Sequence, residues 1–434
     1  MASKNINLSS FVKTLKEYPK LFGTYKKELT IKEFSKLKKF PKETIILKDE
    51  EPLCNDGFPS KFNLSVSEYL WSEWCKNNNA VIKKGVFDYA KVPEHSFWTI
   101  VPCSRDEDFN RLLEDSKQHL LLFHIALTNG CHVIKKEPKI IEEYFKGFIE
   151  FFIKQGLDIK KLCVSSFPGG IVENHGIKKK FPQDHNNKLL KELSKKYGFK
   201  VKDTTDQTFL SLRVFGSPIF WGYRNEFLYE KDGKEWDLGT IEYLPYKPIY
   251  QTSEEGFVTY KDVVDSELAF LGGGIGLERF LLMQEGKKNI LELSTIKPLA
   301  DLIRKNSKNK KPNEKAILLV EEILRLMHHL VCEVGGLGES KLGNKNRNNM
   351  VSKLRTALVA SIITLELDFS EKFLEKFLKE NLKSNKVVDG FILKTNKKII
   401  QEVYLATAER LRLYKVSGQV RKEISDKINK YKLE

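Results

Sequence analysis

The stretch from Leu271 to Met283 restricts this chain more than any other. Glycines at 272, 273, 274 and 276 run directly into Leu-Glu-Arg-Phe-Leu-Leu-Met. Glycine lets the backbone pass close beneath a flat ligand. The apolar run that follows has the character of a buried helix. The expectation is a glycine-rich loop that leads into a helix near Leu277. Arg279 stands at that junction, where a planar guanidinium can lie on an aromatic base and bond phosphate. An ordinary strand-to-helix turn with a surface arginine fits the same letters. The spacing is not G-x-G-x-x-G, and no G-x-x-x-x-G-K-S/T phosphate loop occurs in the chain.

Periodicity supplies the surroundings. Ile140, Ile141, Tyr144, Phe145, Phe148, Ile149 and Phe152 recur at three and four residues, which predicts an amphipathic helix opened by Pro138 and closed near Gly156. Val66, Tyr69, Leu70 and Trp74 suggest another helix. Phe97 to Val101, Leu120 to Leu127 and Leu162 to Phe167 read as strands, with Asn129-Gly130 as a turn. Residues 171–187 are polar and read as a loop, whereas 208–271 look strand-rich. Strands with embedded helices and no βαβ alternation predict an α+β fold on an antiparallel sheet. From Lys297 onward glycine and proline become rare and helical periodicity dominates, with Lys305–Lys315 separating helices. The expected division is a basic N-terminal extension (1–60), an α+β domain (61–294) and an all-helical domain (295–434).

The net charge of +16 favours an anionic partner such as nucleic acid, although a lysine-rich solvated surface has the same composition. Six cysteines are scattered without any C-x-x-C pair, so neither zinc nor a disulfide framework is expected. No apolar run reaches the roughly 18 residues of a membrane span. Acids at Glu17 and Glu28, with no apolar leader, predict a cytoplasmic chain.

Taken together, the motifs resemble the front half of the alanyl-tRNA synthetase family, within the class II aminoacyl-tRNA synthetases. The glycine run with Glu278-Arg279 is similar to motif 3, read D-T-G-M-G-L-E-R in that family. Cys103-Ser104-Arg105 resembles the Q-x-C-x-R of motif 2, and Lys117-Gln118-His119 its R-H-H segment. Gly216-Ser217-Pro218 followed by Asn225-Glu226 resembles G-P-C-x-E-I-x-Y-D. Leu342-Gly343-Asn344 through Arg347, with Lys353 and Arg355, resembles a tRNA-recognising segment. Leu413-Tyr414-Lys415 through Gly418 resembles L-Y-D-T-Y-G. The order is the family's over about residues 62–434.

The resemblance implies ATP with Mg²⁺, a small amino acid and the acceptor stem of tRNA-Ala as partners. It implies no metal held by protein side chains alone. Arg105 and Arg279 would be catalytic. Arg105, His119, Glu226, Gly274, Gly276, Glu278 and Arg279 would bind ATP, while Leu210 and Gly272 would line the amino-acid pocket. Asn344, Arg347, Lys353, Arg355 and Lys415 would face RNA. The departures from the family lie on the substrate side. Gly272 replaces the aspartate that pairs with the substrate amine, for which Asp265 or Glu267 could compensate. Leu210 replaces a tryptophan, Lys415 replaces an aspartate, and motif 1 is not legible. Three functions follow: an alanine–tRNA ligase without an editing domain, a paralogue that activates another carboxylate or loads a non-tRNA acceptor, or a non-catalytic RNA-binding regulator.

Overall fold

The computed structural model describes residues 12–15, 27–34, 36–37, 45–50, 54–55, 81–83, 86–88, 91, 97–104, 108–114, 119–128, 133–214, 217–252, 254, 258–338, 345–386, 390–391 and 393–433. The expected helix at Val66–Trp74, the turn at Asn129-Gly130, and Arg105 and Asn344 lie outside these residues.

The first strands are short: β1 (Lys27–Leu29), β2 (Ile45–Leu47), β3 (Cys54–Asn55), β4 (Val81–Lys83) and β5 (Val86–Phe87), with helix α1 (Ile31–Phe34) after β1. Then come β6 (Phe97–Ser104), α2 (Asp108–Arg111), β7 (Leu122–Thr128), β8 (Val133–Lys135) and α3 (Pro138–Lys154). Strands β9 (Leu162–Ser166), β10 (Gly170–Asn174) and β11 (Ile177–Phe181) precede α4 (Asn187–Tyr197). Strand β12 (Lys200–Asp203) follows, then β13 (Phe209–Val214), β14 (Ser217–Lys231), β15 (Lys234–Thr252) and β16 (Val258–Gly276). The chain ends in helices: α5 (Leu277–Glu285), α6 (Lys297–Asn306), α7 (Glu314–Val334), α8 (Lys345–Thr364), α9 (Glu371–Ser384), α10 (Lys397–Val416) and α11 (Gly418–Tyr431).

Among the described residues one sheet of twelve strands runs β1-β2-β6-β7-β16-β15-β14-β9-β12, with β13 on β14, β3 on β6 and β8 on β16. Its middle is antiparallel, from β6 through β7, β16, β15 and β14 to β9. Parallel pairs occur at the flanks. The α+β architecture with a trailing helical region is therefore present as the sequence predicts.

Two local expectations change. Residues 170–181 form the antiparallel hairpin β10–β11 rather than a loop. Lys178, Lys180 and Glu173 share one side, whereas Ile177 and Phe181 are buried on the other together with the half-buried Lys179. The glycines of 272–276 are likewise not a loop. With Ile275 they make up the last five residues of β16, paired to β15 on one side and β7 on the other.

Aromatic packing explains why glycine is tolerated in that strand. Helix α3 lays Phe145, Phe148 and Phe152 on Phe227 of β14, and Phe151 and Phe152 meet Phe280 of α5. A Cβ on Gly273 would stand 2.6 Å from Tyr144 Oη, 2.8 Å from Phe148 Cζ and 2.9 Å from Thr240 O. The missing side chain is what lets the helix close on the sheet.

Helix α7 is the axis of the helical region. It is buried continuously from Ala316 to Val331, as an all-round enclosed helix must be. Asn313 caps its N-terminus by accepting from the amides of Lys315 and Ala316, and Gly335 ends it in the left-handed conformation. It packs against α6, α8, α9, α10 and strand β7, so sheet and helices share a continuous apolar core.

Gly273→Ala should lower stability by about 1–3 kcal/mol through overpacking. Gly276→Ala, whose Cβ would meet only Arg279 Cβ at 3.9 Å, should stay within about 0.5 kcal/mol. Urea midpoints of the two variants check this, and equal midpoints would mean that α3 does not close on Gly273.

Candidate active site on the central sheet

Strand alternation decides which residues can form a site. Along β14, Tyr223, Asn225, Phe227 and Tyr229 are buried toward the helical side, whereas Arg224, Glu226 and Leu228 are only half-buried. Glu226 stands opposite Thr240, and Thr240 opposite Gly274. Arg224 stands opposite Glu242, and Glu242 opposite Gly272. Directly opposed residues share a face. The face away from α3 thus presents two rows: Glu226, Thr240 and Gly274, then Arg224, Glu242 and Gly272. Leu210 lies one strand further out, opposite Gly222, and belongs to the same face as Arg224.

These groups interact. Arg224 Nε lies 3.3 Å from Thr240 Oγ1, 3.7 Å from Glu226 Oε1 and 4.0 Å from Glu242 Oε1. Burial raises the Glu226 carboxyl above its ordinary range, opposed by the Arg224 charge and assisted by Asp237 and Asp206. Arg279, in the first turn of α5, donates from Nη1 to the Asp237 carbonyl at 3.2 Å and to Asp237 Oδ2 at 2.5 Å. Its charge also reaches Glu226. Two guanidinium groups and three carboxylates therefore meet above a floor of half-buried glycine backbone at Gly274 and Gly276.

Of the expected ATP-side residues, the structure brings Glu226, Gly274, Gly276 and Arg279 together. His119 is half-buried just ahead of β7. Glu278 is placed differently from the expectation, because its side chain is fully buried and lines no open surface. Its Oε2 accepts the His124 backbone N–H at 2.7 Å, and its Oε1 lies 2.6 Å from His124 Nδ1. His124 Nε2 lies 2.9 Å from Glu50 Oε1. Arg325 of α7 approaches Glu278 at 4.0 Å, Glu321 at 3.4 Å and Glu322 at 2.8 Å. Sequence reasoning missed this cluster because its members come from four separate places in the chain. It also missed Arg224, although the alternation Arg224-x-Glu226 was a usable signal.

On the substrate side, Gly272 is buried with Glu242 directly opposite. Asp265 stands away from Gly272 along the sheet. It pairs with Tyr246, four residues along β15 from Glu242, or about 13 Å away at strand spacing. It also binds Lys136 at 2.7 Å. Glu267 is exposed. In the helical region, Arg347 lies in α8, and Lys353 and Lys415 are exposed. Arg355 turns inward and donates to the Leu337 carbonyl at 3.0 Å.

Among the described residues no group of three His, Cys, Asp or Glu could hold a metal ion by itself. No described helix is long and apolar enough to cross a membrane.

No family model matches the chain, and no curated protein matches it. Among solved structures, the apo histidyl-tRNA synthetase of S. aureus is similar at 11% identity and a TM-score of 0.31, over 65% of this chain and 71% of that one. At that level of likeness the functional argument rests on this chain's own residues.

The His124 cluster has a pH signature. Burial alone would lower the imidazole's pKa, but the Glu278 and Glu50 carboxylates outweigh it and hold His124 at about 9. A folded pKa above the unfolded value of about 6.5 adds stability that is complete below that value and lost as pH climbs through about 9. Glu278 is shifted down: burial opposes the shift, and the His124 charge overcomes it. Its contribution is present above the ordinary carboxylate range and fades as pH falls through its lowered value. Wild-type melting temperature should fall between pH 7.5 and 10. His124→Gln should start lower, since breaking a buried pair costs about 3–5 kcal/mol, and should show a flatter slope. Parallel slopes in thermal melts would show that His124 is not the titrating group.

Proposed function

We propose that this chain is an ATP-dependent, adenylate-forming enzyme of the class II aminoacyl-tRNA synthetase kind, which activates a small amino acid and passes it to an RNA acceptor. The observation that carries the reading is the gathering of Arg279, Arg224, Glu226 and the glycine floor on one sheet face. The same segments follow one another in the order of the alanyl-tRNA synthetase motifs.

The chemistry explains the need for these groups. A substrate carboxylate oxygen attacks the α-phosphorus of ATP, a bond forms between them, and the bond to the β-phosphate oxygen breaks as pyrophosphate leaves. Two anions must approach, so fixed cations are the first requirement, and positioning with preorganised charge lowers the barrier. Arg279 would cover the adenine and reach the phosphates. Arg105, by its place in the motif order, would hold the α-phosphate. Arg224 stands on the same face and would neutralise the attacking carboxylate or the developing charge. Mg²⁺ is ordinarily held by one or two carboxylates together with substrate phosphates. Glu226, beside Arg224, suits that role without a dedicated metal cage.

The amino-acid side is where this chain differs from the family. Glu242, opposite Gly272, offers the carboxylate that the glycine lacks, and so could receive the substrate ammonium. Leu210 would form an apolar wall. Lys353 and Lys415, with Arg347 and Asn344 by their motif positions, would contact RNA. Arg355 would instead brace the end of α7. Contacts of this kind position the phosphate backbone and are salt-sensitive.

ATP–pyrophosphate exchange against a panel of amino acids tests the reading. A small amino acid should support exchange. Arg279→Ala should reduce it about 10²–10³-fold, the usual effect of removing one preorganised donor. Glu242→Gln should raise the amino-acid KM by about tenfold or more, the loss of one charge-assisted hydrogen bond, with little change in the KM for ATP. Undiminished exchange in Arg279→Ala would overturn the site assignment. Replacing Arg347 and Lys353 together should weaken RNA binding, with a shallower dependence on salt, and leave exchange intact. Unchanged affinity in a filter-binding titration would remove α8 from the RNA surface.

A further inference from the structure

Arg279 is useful only if the chain leaves β16 at the correct angle, and the structure shows what sets that angle. Strand β16 pairs with β7 as far as Gly276 opposite Ile125. There the backbone turns into α5 and can no longer supply the next rung. The His124 N–H would then be left buried and unpaired, at substantial cost. Glu278 fills the vacancy, its carboxylate accepting that N–H at 2.7 Å. A side chain two residues into the helix thus continues the ladder of the strand, and the first turn of α5, including Arg279, is tied to β7.

A buried carboxylate is held only if it is paired. Glu278 is enclosed by two cationic groups from elsewhere in the chain. His124 Nδ1 lies 2.6 Å from Oε1, and Arg325 Nη2 lies 4.0 Å from the same oxygen. Arg325 is itself fixed by Glu322 at 2.8 Å, Glu321 at 3.4 Å and the Asn385 side-chain Oδ1 at 3.2 Å. Glu322 Oε2 also accepts from the Leu121 and Leu122 amides at 2.7 and 3.1 Å. Helix α7 therefore grips both the start of β7 and the carboxylate that aims Arg279.

We infer that Arg325 and His124 are positioning residues for Arg279, acting through Glu278, and that the helical region is thereby an obligatory part of the nucleotide site. This rests on the reading that Arg279 binds ATP. Neither Arg325 nor His124 touches the nucleotide face, since both side chains are wholly buried. A purely architectural role would make them matter for folding alone. A positioning role makes them matter for ATP affinity in protein that is fully folded.

The test compares ATP dissociation constants, by calorimetry well below the melting transition, for wild type, Arg279→Ala, Arg325→Lys, Arg325→Met, Glu278→Gln and the double variant Arg279→Ala/Arg325→Lys. Arg325→Lys keeps the charge but not the fork, and so stays falsifiable if Arg325→Met does not fold. Arg325→Lys and Glu278→Gln should weaken ATP about 10- to 100-fold, the scale of a displacement near 1 Å, while remaining cooperatively folded. The double variant should bind no more weakly than Arg279→Ala, because residues acting through one another are non-additive. Wild-type affinity in a folded Arg325→Lys, or strictly additive losses, would overturn the inference and leave the proposed function standing. Unchanged ATP affinity in Arg279→Ala would overturn both.

Discussion

The structure depends on a substitution of side chain for backbone. Where β16 ends, Glu278 takes over the hydrogen bond that the strand would have made to β7, and the charge that this buries is balanced by His124 and Arg325. Everything near the candidate site inherits its geometry from that exchange. The glycine strand is held flat against β7 and β15, α5 leaves it at a fixed angle, and Arg279 reaches back to Asp237 on the neighbouring strand. Buried ion pairs seldom add much net stability relative to apolar packing. Here the cluster ties four distant segments together, and geometry is its evident product.

The fold was legible wherever local pattern and tertiary environment agree. Helix α3 carries apolar residues at three and four, and all of its aromatic side chains are buried. Strands β6 and β7 are β-branched and aromatic runs lying side by side in the sheet. The misreadings have physical causes. Hairpin β10–β11 is half solvated, with lysines along one strand, so its letters resemble a loop. Glycines 272, 273, 274 and 276 have poor strand propensity. They are a strand because α3 leaves no room for a side chain at 273 and because partners flank them on both sides.

The candidate site was legible in part for a similar reason. Arg279, Gly274, Gly276 and Glu226 sit in short motifs, and strand pairing draws those motifs together. Glu278 stands in the same motif as Arg279, yet one residue's step around the helix, about 100°, sends one inward and the other outward. Arg224 and Glu242 become neighbours only through the register of β14 and β15. Arg325 and Glu322 lie in a helix whose sequence shows only that it is buried. No spacing rule connects residue 50, 124, 278 or 325 to another, because their proximity is created by the fold as a whole.

The bonds from Leu121 and Leu122 to Glu322 span 201 and 200 positions of chain. On a ribosome, which adds about 5–20 residues per second, the β7 segment would emerge some 10–40 seconds before the carboxylate that satisfies its amides. During that interval the first strands of the sheet would present an unpaired edge to everything around them. An edge of this kind is a template for pairing with other chains. The same long-range closure that unites sheet and helices in the finished molecule makes its synthesis a period of exposure, in which a chaperone or a slow, late-forming nucleus would decide whether the chain folds or aggregates.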